Sequence, residues 1–251
     1  MILKATAALI LVTYIFGALY AINCNAIRRC MIGVFDWKIF SLFGIIGVPF
    51  HELSHFLTAL IFGHDITAFA LYRPFEGRKD GCLGYVRHKY NKRSPYQRVG
   101  NFFIGAAPMI FGAILLTILF QLAVPGTEYV NITDIGLFFE SMASLTESYY
   151  QSLIECDKYS IALIIAMFLI CPHICMSKAD FKNTVSGTLT LLLLVYFLPI
   201  VLRMYFGISI SLMEKAVLYF FMTYFYVLFI GFVFTTICAI VLRILYASRD
   251  I

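Results

Sequence analysis

Long apolar runs separated by short polar segments dominate this chain. Six of them, at residues 3–22, 39–62, 102–124, 160–176, 185–206 and 216–246, are long enough for a helix to cross the roughly 30 Å hydrocarbon core of a bilayer. The pattern changes between the second and third runs. Residues 66–72 (ITAFALY) and 82–90 (CLGYVRHKY) carry the β-branched and aromatic residues of two short strands. The piece between them, 73–81, has the Pro, Gly and Asp of a turn. The chain therefore reads as an all-α polytopic membrane protein of about six transmembrane helices, with a short membrane-associated β-hairpin after the second. Polar linkers are few and brief, which predicts a single domain over 1–251, with a core at about 39–206, a hairpin at about 65–91 and an outer acidic segment at about 125–159. Within that last segment, 134–155 reads as an amphipathic helix lying on the membrane, and Asn131-Ile132-Thr133 is an N-glycosylation pattern. The first run is longer than the apolar core of a signal peptide and reads as an uncleaved helix.

Composition agrees. Hydrophobic residues make up 61% of the chain, charged residues 13%, and the mean hydropathy is +0.88, which excludes a soluble domain with one anchor. Charge is distributed unevenly. Segment 64–100 carries Arg73, Arg78, Lys79, Arg87, Lys89, Lys92, Arg93 and Arg98, whereas 125–159 carries Glu128, Asp134, Glu140, Glu147, Glu155 and Asp157 against Lys158 alone. The positive-inside rule puts the basic segment in the cytoplasm and the acidic one outside. Six spans then put both termini in the cytoplasm, although Arg28, Arg29 and Lys38 fall in a loop assigned to the outside. The basic segment reads as a surface facing water and lipid headgroups, with the bilayer as partner and no nucleic acid. The seven cysteines form no CxxC pair, and no disulfide framework is expected.

One polar cluster interrupts the second run. His51-Glu52-Leu53-Ser54-His55 lies where a charged side chain costs roughly 2.5 kcal/mol or more unless it has a partner or a wet cavity. Histidines four apart share a helix face, so His51 and His55 can reach one Zn²⁺, and Glu52 beside them can act as a general base. A catalytic zinc site usually has three protein ligands. Asp180 is the expected third, in a turn between the fourth and fifth runs that loop charge and span count place on the same side as His55. The competing role for Asp180 is helix capping, since Ser177-x-x-Asp180 is a capping pattern. His173 is the next candidate, and His64, Asp65 and Asp157 are weaker ones.

These motifs resemble the site-2 protease class of intramembrane zinc metalloproteases: HELSH in an early span, an aspartate at the start of a later one, and Gly105-Ala106-Ala107-Pro108 between them. The similarity covers roughly 51–187. It differs from the family pattern in having Phe181 after Asp180, with no Asn-Pro ahead of it, as in a divergent member. The resemblance implies peptide-bond hydrolysis of membrane-anchored proteins within the bilayer, with one Zn²⁺ per chain on His51, His55 and Asp180, Glu52 as general base, and a role in regulated intramembrane proteolysis. Two other functions fit the residues: a non-catalytic relative that binds membrane proteins, and a metal transporter that uses the HELSH helix as a transit site.

Overall fold

The computed structural model describes residues 2–123, 158–207 and 210–248. The expected outer acidic segment, with its amphipathic helix, its glycosylation pattern and Asp157, lies outside them. The chain is mostly helical. Its elements are α1 (Ile2–Ile61), β1 (Asp65–Ala70), α2 (Pro74–Asp80), β2 (Tyr85–Lys89), α3 (Pro95–Ala123), α4 (Lys158–Ile170), a single 3₁₀ turn (Cys171–His173), α5 (Lys178–Phe206) and α6 (Ile210–Ala247). Among the described residues, four helices (α1, α3, α5 and α6) are long and apolar enough to cross a membrane, and α4 is shorter.

The first of these spans two of the expected runs. Its helical geometry breaks at Asp36 (φ 72°, ψ 164°), and there the chain turns back on itself. Leu9 and Phe62 line one cavity, while Ala21, Arg28, Phe40 and His51 line another, so the two halves of α1 lie side by side and antiparallel. Asp36 Oδ1 accepts the Trp37 N–H at 2.6 Å and holds the reversal. α6 runs parallel to the first half of α1. Thr13 pairs with Tyr224 at 2.9 Å, Tyr20 donates to the Leu228 carbonyl at 2.9 Å, and Asn23 donates to Thr236 at 2.8 Å. Such hydrogen bonds join helices whose apolar faces give no preference for protein over lipid.

The fourth and fifth expected runs form one interrupted passage. The ring of Phe168 in α4 lies 5.4 Å from Phe234, near the level of Asn23. Phe181 in α5 lies 5.3 Å from Tyr14, and Leu191 packs with Ile10. The chain thus moves steadily along the first half of α1 through both helices, and the break at 171–177 falls within the bundle, not at its end. The expected turn between the fourth and fifth runs is therefore a break inside the bundle. The break arises because Pro172 cannot continue the helical ladder and Ser177 starts a new helix as its N-cap. The start of α1 lies beside Phe62, and Tyr246 of α6 packs on Gly33. The two termini are therefore at opposite ends of the bundle, where six separate crossings would have brought them to the same end.

The strands β1 and β2 pair antiparallel, with Asp65 opposite Lys89 and Ala70 opposite Tyr85, and a register shift between Ile66 and Ala68. The link between them is helix α2 and not the expected turn. Pro74 at its first position and left-handed Gly81 (φ 74°) at its C-cap are the same residue types that mark turns.

The backbone at Asp36 occupies a region that non-glycine residues rarely adopt. Asp36→Gly is expected to leave stability within about 1 kcal/mol, as released strain offsets the lost hydrogen bond. Asp36→Val, which adds a β-branched side chain, is expected to cost about 2 kcal/mol or more. Thermal unfolding of both variants in detergent checks the difference.

Candidate metal centre

Three elements meet at the HELSH motif. His51, Glu52 and His55 come from the second half of α1, Asp180 from the first turn of α5, and α3 packs behind them. The Nδ1 of His51 lies 2.6 Å from the His173 carbonyl oxygen, and the Nδ1 of His55 lies 2.7 Å from that of Ile104. A carbonyl only accepts, so each neutral ring carries its proton on Nδ1 and presents a bare Nε2. The two Nε2 atoms are 3.2 Å apart. Asp180 Oδ1 is 3.2 Å from the Nε2 of His55, and Oδ2 is 3.8 Å from that of His51.

With both rings neutral, three acceptors converge, an arrangement that suits a cation at the centre, whether a metal ion or a proton on His55 Nε2. A tetrahedral ion with bonds of about 2.0–2.1 Å separates its ligands by roughly 3.3 Å, which the observed spacings bracket. The group His51, His55 and Asp180 can hold a metal ion, its ligand atoms all lying within 4.8 Å of one another.

Asp180 is placed for both roles considered for it. The Asp180 N–H donates to Ser177 Oγ at 3.2 Å, and the Ser177 N–H donates to Asp180 Oδ2 at 2.7 Å. This capping box fixes the carboxylate in the orientation in which it faces the histidines. Its position also depends on a close helix contact. A methyl group at Gly105 of α3 would overlap the Asp180 carbonyl and Thr184, and one at Gly187 of α5 would overlap the backbone of Phe102.

Glu52 is 7% exposed and has no protein hydrogen bond among the described residues. Its Cγ lies close enough to Gly84, just before β2, that a side chain there would collide with it. Beside it opens a cavity of about 690 Å³, lined by Glu52, both histidines, Asp180, β2 and Asn183.

The remaining candidates stand elsewhere. His173 contributes its carbonyl, while its ring packs on Gly44, Gly47 and Phe40. Asp65 is exposed at the start of β1. His64 joins a second histidine that sequence reasoning passed over. His64 Nε2 donates to the Gln97 carbonyl at 2.8 Å, which leaves its Nδ1 to accept from His88 Nδ1 at 2.9 Å. His88 Nε2 then faces the amide of Asn183 at 3.5 Å, one turn beyond Asp180. The hairpin is thus tied both to the end of α1 and to α5. A histidine inside a strand marks a candidate in sequence, but its partners in segments far along the chain do not show there. Compared with protein-family models, curated proteins and solved structures, the chain gives no significant match.

Gly105→Ala is expected to weaken metal binding by roughly 10–100-fold by moving α5 and Asp180 away, as loss of an outer-shell support does. Competition with a chelator measures it. A second expectation concerns pH. Burial, then the neighbouring charge of His64, pulls His88 down to about 4 from the ordinary 6.5, and burial also lowers His64. The unfolded chain takes up these protons first, so their contribution is fully present above about pH 7 and is lost as pH falls from 6.5 toward 4. Amide exchange across 65–89 should be faster at pH 5 than at pH 7, after correction for intrinsic rates. In His88→Gln the difference should shrink to the part that His64 contributes.

Proposed function

We propose that this chain is a zinc-dependent intramembrane endopeptidase that hydrolyses peptide bonds of membrane-anchored proteins, in the manner of the site-2 protease class. The observation that carries the proposal is a triad able to hold a metal ion, with a glutamate beside it that has no hydrogen bond among the described residues, buried within an apolar bundle and open to a cavity lined by charged and polar residues. Donor chemistry supports zinc: two imidazoles and one carboxylate suit it, whereas calcium and magnesium prefer six or more oxygens. A bound Zn²⁺ supplies Lewis-acid polarisation of water and of the scissile carbonyl.

The chain's own residues do the rest. His51 and His55 are locked in one tautomer by backbone carbonyls, and the capping box sets the orientation of Asp180. Glu52, free of other hydrogen bonds, takes a proton from the attacking water and passes it to the leaving amine. A peptide bond within a helix is shielded from attack, and β2 lines the cavity with backbone that an extended substrate can pair with. On this reading the chain makes five passages, counting the reversal in α1 and the interrupted α4–α5. The bundle end carrying Arg87 to Arg98 faces the cytoplasm with the N-terminus, and the C-terminus faces the other side.

Elemental analysis of detergent-purified protein should give about one zinc per chain in the wild type and in Glu52→Gln. Asp180→Ala should bind zinc at least roughly tenfold more weakly. Cleavage of a membrane-anchored reporter should fall by about 10²–10⁴-fold in Glu52→Gln. Cleavage that survives that substitution, or a protein that takes up no zinc after loading, would overturn the proposal.

A further inference from the structure

A second cavity, of about 510 Å³, lies on the other side of Glu52. His51, Glu52, Cys82, Gly84 and Ser177 line both cavities, so the metal centre is the neck between them. The two differ in charge. The first holds the Asp180 carboxylate alongside Arg87 and Lys182. The second holds Arg28 and Lys178, and Glu52 is its sole carboxylate among the described residues.

Neither cation has a carboxylate partner among the described residues. Arg28 is positioned: one guanidinium nitrogen donates to the Gly81 carbonyl at 3.2 Å, and the group lies 5.9 Å from the Trp37 ring and 5.8 Å from that of Phe40. Four of the five guanidinium N–H donors remain after that bond. Lys178 is the first residue of α5, immediately after the Ser177 cap. Two cationic residues lining one cavity set up a field that a carboxylate neutralises.

We propose that this second cavity is a specificity subsite for a carboxylate of the substrate peptide, held by Arg28 and Lys178 within a few residues of the scissile bond. The inference rests on the peptidase reading, because it takes the neck between the cavities as the place where the peptide bond lies. The same chemistry serves an Asp or Glu side chain and a free C-terminal carboxylate. A peptide would pass from the β2 cavity, through the neck, into the cationic one, and lose affinity wherever no acid stands at that register.

The test uses full-length, zinc-loaded Glu52→Gln protein in detergent and fluorescent apolar peptides of roughly 20 residues, each with a single Glu at successive positions. Gln counterparts and C-terminal amides serve as controls. At one register the Glu peptide should bind roughly tenfold or more tightly than its Gln counterpart. If the terminus is the ligand, amidation removes the gain instead. Adding Lys178→Glu should abolish the preference and shift it toward Lys. Arg28→Gln should weaken it as well, with retained zinc as the check on folding. Because Lys178 is exposed and has no side-chain hydrogen bond or ion pair among the described residues, its variant decides the matter if Arg28→Gln loses zinc.

Wild-type protein should cut these peptides at a fixed distance from the Glu. Equal binding of Glu and Gln peptides, no peptide binding at all, or a preference that survives Lys178→Glu overturns the subsite. So does loss of the preference on adding anionic phospholipid, which would mark the cavity as a headgroup site. Glu-selective binding without cleavage by wild type supports the subsite and sinks the peptidase reading, whereas cleavage without charge preference does the reverse.

Discussion

The convergence of three bare acceptors in a buried, apolar setting is the constraint that organises this structure. Two imidazole lone pairs and a carboxylate within 3.8 Å of one another repel unless a cation lies between them. Holding them there takes supports from elements far apart in sequence: carbonyls at Ile104 and His173 set the ring tautomers, and the Ser177 cap aims Asp180. Each support also satisfies a backbone group that would otherwise be stranded away from water.

This explains why the α4–α5 passage is broken. A continuous helix engages its own carbonyls except where a proline four residues on lacks the donor, as Pro108 does for Ile104. The 3₁₀ turn at Cys171–His173 releases them, and His51 takes one while the Cys24 thiol lies 3.6 Å from another. Irregular backbone is tolerated at membrane depth only where it is buried in protein or faces a wet cavity. Here both conditions hold, with the break packed on α1 and open to the two cavities. The same turn starts α5, whose close approach to α3 at Gly105 and Gly187 brings Asp180 within reach.

The motif was legible in sequence because histidine spacing of four is a local property: the helix alone decides that His51 and His55 share a face. Asp180 could be named because loop charge and span count put its turn on the same side as His55, although the structure sets that turn inside the bundle. Its capping and metal-facing roles read as alternatives, since sequence does not show that a side chain with two oxygens can serve both. Hydropathy marked the runs but not their direction, so two runs separated by Pro172 and Ser177 looked like two crossings when they form one interrupted passage. The carbonyl partners left little trace: Pro108 leaves the Ile104 carbonyl without its helical donor, but nothing in the sequence shows which side chain takes it up. In 73–81, Pro and Gly punctuate a turn and a short helix alike, and the helix shows only in its backbone bonds, Gly77 N–H to the Arg73 carbonyl at 2.9 Å and Gly81 N–H to that of Gly77 at 2.8 Å.

The position of Glu52 bears on which function the centre serves. A transit site for metal needs successive ligand sets along a path, and the described residues hold one such group. A transit site also has no use for a carboxylate that neither reaches the ligand set nor finds a hydrogen bond. Glu52 is held beside the triad by the close fit of Gly84 against its side chain, with cavities on both sides. Its position thus depends on the hairpin, and the hairpin's on the His64–His88–Asn183 chain that reaches the turn after Asp180. On the proposed reading, a proton acceptor set by the element that also presents an open strand edge would act on a peptide paired with that edge. In a pure binder the same carboxylate would be a buried charge with no return for its desolvation.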